Sequence, residues 1–238
     1  MADPRVVSRS QTHTRERGSG NLQYMDLCCR RYTAAPIRLQ IYWITSLLHG
    51  RFRFFISWMT ANPRVRRDKT KSVMSRMDKW SLQEISSSAT IAATSLGYQS
   101  LRSEQKEAIA TFLRGNDVFV ALPTGYGKNL CYGCLPLAFD VLWGTEKKSI
   151  AIVLSPLVAL MKDQVSMFLS KGLSSAFISS DSPREMQLGV LSGDYQLVFF
   201  SPESILSNRK WRDLLRQEPY VSQIVALVVD EAHCVKKW

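Results

Sequence analysis

Acidic residues are scarce in the first third of this 238-residue chain, and that scarcity divides it in two. Residues 1–76 hold 15 Lys and Arg against 4 Asp and Glu, whereas residues 77–238 hold 16 of each. The formal charge of +11 therefore lies entirely in the leading segment and says nothing about the fold of the remainder. Long apolar runs are also missing. Ile41 to Trp58 is aromatic-rich, but His49, Gly50, Arg51 and Arg53 break it, which excludes the roughly 20 consecutive apolar residues of a membrane-spanning helix. The N-terminus lacks the basic-then-apolar layout of a signal peptide. Five cysteines do not make a disulfide framework here. Cys131 and Cys134 have CxxC spacing, yet no second Cys pair or His pair accompanies them. They read as two small buried residues, and no structural metal is expected.

The leading segment shows no core pattern of its own. Arg5 to Arg31 is polar and Arg-rich. Arg richness with few acids fits an organelle transit peptide and a nucleic-acid-binding tail equally. A start at Met74 or Met77 is a further alternative. The expectation is a basic, disordered leader over residues 1–76 and one folded domain over residues 77–238. About 160 residues suffice for one domain that buries around two-thirds of its unfolded surface.

What the second part does contain is a phosphate loop. Val118 to Ala121 is a short β-branched and aromatic run, and Leu130 to Leu142 is apolar enough for a packed helix. Between them lies Leu122 to Asn129, LPTGYGKN. Gly125 and Gly127 let the backbone turn around Tyr126, so that successive N–H groups converge at a helix N-terminus, where the dipole favours an anion. Lys128 then reaches the outer phosphates. Asn129 stands where the motif wants a Ser or Thr hydroxyl for Mg²⁺. Its amide oxygen is a possible Mg²⁺ ligand, but the side chain is longer and also carries an NH₂, so a weakened Mg²⁺ dependence is expected.

A second motif lies downstream. Gln223 to Val229 is an almost continuous apolar run, as in a strand buried on both faces. It ends in Asp230, Glu231, Ala232 and His233. In P-loop enzymes an acid at such a strand end holds the nucleotide's Mg²⁺, and a neighbouring Glu orients or deprotonates the attacking water. From Trp80 onward helix and strand signals alternate. Helices are expected over 82–95, 103–114, 157–171, 184–191 and 208–216, and strands near 149–154, 174–178, 195–200 and 224–230. Ser155 before Pro156 is expected to cap the helix after the second strand, and Met161 to be core. Such alternation implies an α/β fold with a parallel sheet and right-handed crossovers, with helices on both faces and ligands at the carboxyl ends of the strands.

Four further stretches sharpen this. Gly97 to Gln105 (GYQSLRSEQ) resembles the motif before the P-loop in RecQ-type superfamily 2 DNA helicases. Ser155 to Gln164 (SPLVALMKDQ) resembles the family's next motif, which faces the DNA groove, and Phe199 to Ser204 (FFSPES) its short Pro-Glu turn. Asp230 to Trp238 (DEAHCVKKW) resembles the DEAH box and the start of an aromatic-rich loop. The resemblance covers residues 80 to 238 and implies a P-loop NTPase of RecA-like fold. It further implies that Gln105 reads adenine while Tyr98 and Arg102 shape the base pocket. Thr124, Gly125, Tyr126, Gly127 and Lys128 hold the phosphates, and Asp230 with Asn129 holds Mg²⁺. Glu231 activates water, with Lys128 as the other catalytic residue, and His233 links the nucleotide site to the DNA-facing loops.

The implied cofactors are ATP and Mg²⁺, the implied partner single-stranded or forked DNA, and the implied location the nucleus, with no membrane association. The complete enzyme is expected to unwind DNA 3′ to 5′ with a second lobe that supplies an arginine finger. Such a finger contributes roughly 10³–10⁵ in rate, so residues 1–238 alone are expected to turn over ATP very poorly. The alternative is a truncated or decayed module that binds nucleotide or nucleic acid without catalysis. A small-molecule P-loop kinase is disfavoured by the DEAH and Ser-Pro-Leu motifs.

Overall fold

The computed structural model describes residues 6–7, 80–120, 122–123, 125–144 and 148–231. Apart from Val6 and Val7, the expected leader lies outside the described residues, as do Thr124 and His233. The elements run β1 (Val6–Val7), α1 (Leu82–Ser95), α2 (Ser103–Leu113), β2 (Phe119–Val120), α3 (Lys128–Trp143), β3 (Ile150–Leu154) and α4 (Val158–Ser170). Then follow β4 (Ser175–Ile178), α5 (Arg184–Ser192), β5 (Leu197–Phe200), α6 (Pro202–Ser207), α7 (Arg209–Leu214), α8 (Tyr220–Gln223) and β6 (Ile224–Val229). No described helix is long and apolar enough to cross a membrane.

Strands β3 to β6 form one parallel sheet in the order β4-β5-β3-β6. Strands β3, β5 and β6 are apolar along their length, and β4 is apolar after Ser175, because both faces are covered. Ala151, Val153, Leu197, Phe199, Ala226 and Val228 face a core built with α1 to α4, around Ile85, Ile109, Phe139 and Phe168. Their neighbours Ile152, Leu154, Val198, Phe200, Leu227 and Val229 face a second core with Val190, Ile205, Trp211 and Tyr220 from α5 to α8. The period of two thus assigns successive residues to opposite layers. Each fully buried large apolar side chain contributes about 1.5–3 kcal/mol relative to exposure.

Local signals set the helix starts. Ser81 caps α1 through a reciprocal pair, Glu84 N–H to Ser81 Oγ at 3.2 Å and Ser81 N–H to Glu84 Oε2 at 2.7 Å. Helix α3 begins at Gly127 with φ +75° and ends at Gly144 with φ +56°, both in the left-handed region that glycine tolerates.

Three expectations need correction. Ser155 does not cap α4: that helix starts at Val158 after Leu157, and Ser155 N–H instead extends the sheet by donating to Phe200 O at 3.0 Å. The single helix expected over 208–216 is α7 alone, flanked by two further short helices, α6 and α8. The P-loop strand is only two residues long and pairs antiparallel with Val6–Val7, outside the four-stranded sheet. Val118 and Val120 are still buried against the first core, so their apolar character reflects packing more than sheet pairing.

Candidate nucleotide site

The sheet ends position the acid. Val229 lies in register with Leu154, and Asp230 N–H donates to Leu154 O at 2.8 Å, carrying the ladder one residue past β6. The next residue, Glu231, has φ +50°, a left-handed conformation that costs a non-glycine residue about 1–2 kcal/mol. That turn lets Glu231 N–H reach back to Asp230 Oδ1 at 3.0 Å. Asp230 Oδ2 accepts from Gln164 Nε2 of α4 at 3.3 Å. Burial raises the Asp230 pKa above the usual carboxylate range, and the neighbouring Glu231 charge adds to this. The Gln164 hydrogen bond, the Glu231 amide and the positive charge of Lys128 oppose it. The Lys128 charge is thus near enough to act on Asp230.

Opposite stands the glycine loop. Gly125 has φ +84° with open space where a Cβ would point, and Gly127 has φ +75°. Helix α3 has neither a capping side chain nor an acid in its first turn, so its leading amides face an unblocked end. Lys128 opens that helix and Asn129 follows it in the first turn, both half-buried.

Gln105 sits against this loop. Only 4% exposed, its Nε2 donates to Tyr126 O and Gly127 O at 3.1 Å each, while its Oε1 accepts from Arg102 N–H at 2.9 Å. The Arg102 guanidinium lies 4.4 Å from the centroid of the Tyr126 ring. Tyr98 is half-buried, and the Lys171 ammonium lies 4.1 Å from its ring centroid while donating to Leu96 O at 3.2 Å. Gln105 is thus bonded directly to the loop and Arg102 lies over its Tyr126, whereas Tyr98 packs against Lys171 at the end of α4.

Sequence reasoning passed over Gln164 and Tyr132 as site residues. Tyr132 OH lies 2.6 Å from Gln164 Oε1, which joins α3 to α4 beside the acid. The available signal was a polar residue in an apolar stripe: Met161, Gln164, Val165 and Phe168 are the buried positions of α4. Cys131 and Cys134 are buried in the first core, and burial pushes both thiols up to about 12.

Residues 102–238, more than half of the chain, match the DEAD/DEAH box helicase family. The chain belongs to that family. Within it the resemblance is to RecQ helicases. The chain is 36% identical over 146 residues to the ATP-dependent DNA helicase RecQ of Haemophilus influenzae, covering 60% of this chain and 22% of that protein. It is 38% identical over 146 residues to the RecQ of Synechocystis, covering 60% and 28%. Against the ATP-dependent helicase SGS1 of Saccharomyces cerevisiae it is 37% identical over 141 residues, covering 58% and 10%. The chain thus spans between a tenth and less than a third of the length of these relatives.

Proposed function

We propose that residues 77–238 form the ATP-binding RecA-like lobe of a RecQ-like helicase that unwinds DNA 3′ to 5′, preceded by a basic leader over residues 1–76. What supports the reading is that the N-terminus of α3, headed by Lys128, carries no capping side chain, while the Lys128 charge acts on the carboxylate of Asp230, which the sheet end and Gln164 anchor. Nucleotide phosphates fit this loop, because two left-handed glycines and the free helix end offer N–H donors to an anion. In this reading Asp230, with Asn129, would hold a divalent cation, whose charge a partly buried carboxylate favours.

When bound, ATP supplies the phosphoanhydride whose hydrolysis drives unwinding. Thr124 and the loop amides hold the phosphates, and Lys128 neutralises the outer ones. Glu231 orients or deprotonates the attacking water, and His233 connects the site to the DNA-facing loops. Tyr98, Arg102 and Gln105 form the base pocket. As held here, Gln105 offers an incoming base only the remaining lone pair of Oε1, because both amide hydrogens serve loop carbonyls. Adenine recognition through both donor and acceptor therefore requires the amide to release the loop. The proposed partner is single-stranded or forked DNA. The proposed location is the nucleus, after relatives such as the yeast protein.

The test is a titration of the 238-residue chain against a fluorescent ATP analogue, with and without Mg²⁺. Micromolar-range binding is expected, with Lys128→Ala weakening it about tenfold or more through the lost charge-assisted bond. Failure of the unsubstituted, folded chain to bind sinks the reading. A second reading, binding without turnover, is favoured by Asn129 at the Mg²⁺ position; DNA-stimulated phosphate release from this chain would count against it.

A further inference from the structure

We propose, resting on the nucleotide reading above, that Tyr132 and Gln164 act as a positioning pair that aims the Asp230 carboxylate at the cation. The pair ties that aim to the placement of helices α3 and α4.

Gln164 is the anomaly that starts the argument. It occupies a core position of α4, 8% exposed, in the same stripe as Met161, Val165 and Phe168. A leucine would satisfy that stripe, whereas a buried amide is unfavourable unless both its ends are paired. Here both are. Gln164 Nε2 donates to Asp230 Oδ2 at 3.3 Å, and Gln164 Oε1 faces Tyr132 OH at 2.6 Å.

Chemistry fixes the direction of the chain of bonds. An ionised carboxylate accepts only, so the amide must turn its NH₂ toward Asp230. Its oxygen then points to Tyr132, whose hydroxyl donates. The Tyr132 bond is short, while the Asp230 contact is at the far edge of hydrogen-bond distance. The carboxylate thus sets the sense of the amide, and the short bond from the hydroxyl anchors the amide in that place.

Packing makes this arrangement rigid. The Tyr132 ring lies against Phe168 and Phe199, each with centroids 6.2 Å apart. A Cβ on Gly133 would lie 2.4 Å from Phe168 Cε1, so α3 and α4 meet as closely as a glycine allows. Tyr132 follows Lys128 by one helical turn, so the phosphate lysine and the tyrosine move as one body. Asp230 is meanwhile fixed by Leu154 O through its own N–H and by Glu231 N–H through Oδ1. Oδ2 is the oxygen held from a different element, helix α4. A shift of α4 against α3 would therefore redirect that oxygen first.

The experiment measures the Mg²⁺ concentration for half-maximal binding of the fluorescent ATP analogue to the 238-residue chain. The variants are Tyr132→Phe, Gln164→Leu and the double substitution, with melting curves to confirm folding. Tyr132→Phe keeps both ring contacts and removes only the hydroxyl. It is expected to raise the Mg²⁺ half-saturation roughly tenfold, the usual size of an outer-partner effect on a metal site, while Mg²⁺-free affinity stays the same. Gln164→Leu should do at least as much, and Tyr132→Phe should then add nothing, because its effect passes through the amide. Gln164→Met replaces Gln164→Leu if the latter does not fold. A folded Tyr132→Phe with unchanged half-saturation overturns the proposal, as do additive effects in the double variant. Nucleotide binding that ignores Mg²⁺ in the unsubstituted chain overturns the cation site and the proposal with it. Binding with normal Mg²⁺ dependence but insensitive variants overturns the proposal alone.

Discussion

Replacing Gly127 with alanine tests whether Gln105 braces the phosphate loop. The residue has φ +75°, and a Cβ there would sit 2.9 Å from Gln105 Nε2. The backbone conformation alone costs an alanine about 1–2 kcal/mol. The amide nitrogen ends a flexible side chain, so it can move aside, but it donates to Tyr126 O and Gly127 O and would lose at least one of those bonds. That adds about 1 kcal/mol. Gly125→Ala supplies the control: φ is +84°, yet nothing lies within 4 Å of the added carbon, so only the backbone contribution applies. For a domain of this size each kcal/mol moves Tm by about 2–4 °C. Both variants should melt lower, with Gly127→Ala roughly 2–4 °C below Gly125→Ala. In a Gln105→Ala background that gap should close, since no amide remains to displace. Scanning calorimetry of the five proteins decides. Equal melting points for the two glycine variants, or a gap that survives Gln105→Ala, would refute the brace.

Gly133→Ala should destabilise the chain by about 1–3 kcal/mol through overpacking against Phe168, seen as a lower urea midpoint, and Phe168→Leu in the same chain should recover part of it. Asp140 and Asp230 both have pKa values raised chiefly by burial, so the folded chain keeps protons that the unfolded chain has released. Their contribution to stability therefore falls as pH rises from the ordinary carboxylate value through the raised folded values, and Asp140→Asn should flatten that slope in urea titrations. Asp181 has the opposite sign: the hydrogen bond from Lys162 holds it at about 2, so its contribution is complete above the ordinary value and disappears as pH falls toward 2. Asn129→Ser should lower the Mg²⁺ needed for nucleotide binding, and an unchanged requirement would mean that position 129 does not touch the cation.

The parts legible in the sequence are those written in local periodicity or in backbone demands. Continuous apolar runs along Ile150 to Leu154 and Ile224 to Val229 placed the sheet, and the glycines at 125 and 127 marked the turn, because each signal lies within a few residues. The helix expected over 82–95 is α1, and the structure adds its local cause, Ser81 and Glu84 standing three apart as a capping pair must. The site's internal wiring follows another rule. Gln105 meets residues 126 and 127, Tyr132 meets Gln164, and Gln164 meets Asp230, across separations of 21 to 66 positions. No spacing rule links such partners; the sheet order, with β6 next to β3, brings Gln164 to Asp230, and Gln105 reaches the loop outside that sheet. A local clue existed at Gln164 alone, as an amide in an apolar stripe, and it named a buried partner without saying which. Ser155 shows the reverse failure. Ser before Pro is a sound capping signal, and Ser201 before Pro202 obeys it, capping α6 by accepting from Ser204 N–H while its own N–H donates to Ile178 O. Ser155 N–H likewise continues the ladder to Phe200 O, but its helix begins only three residues later, after Leu157. The carboxyl ends of the strands, where ladder, loop and helix start meet, are where this chain is hardest to read and where Asp230 is held.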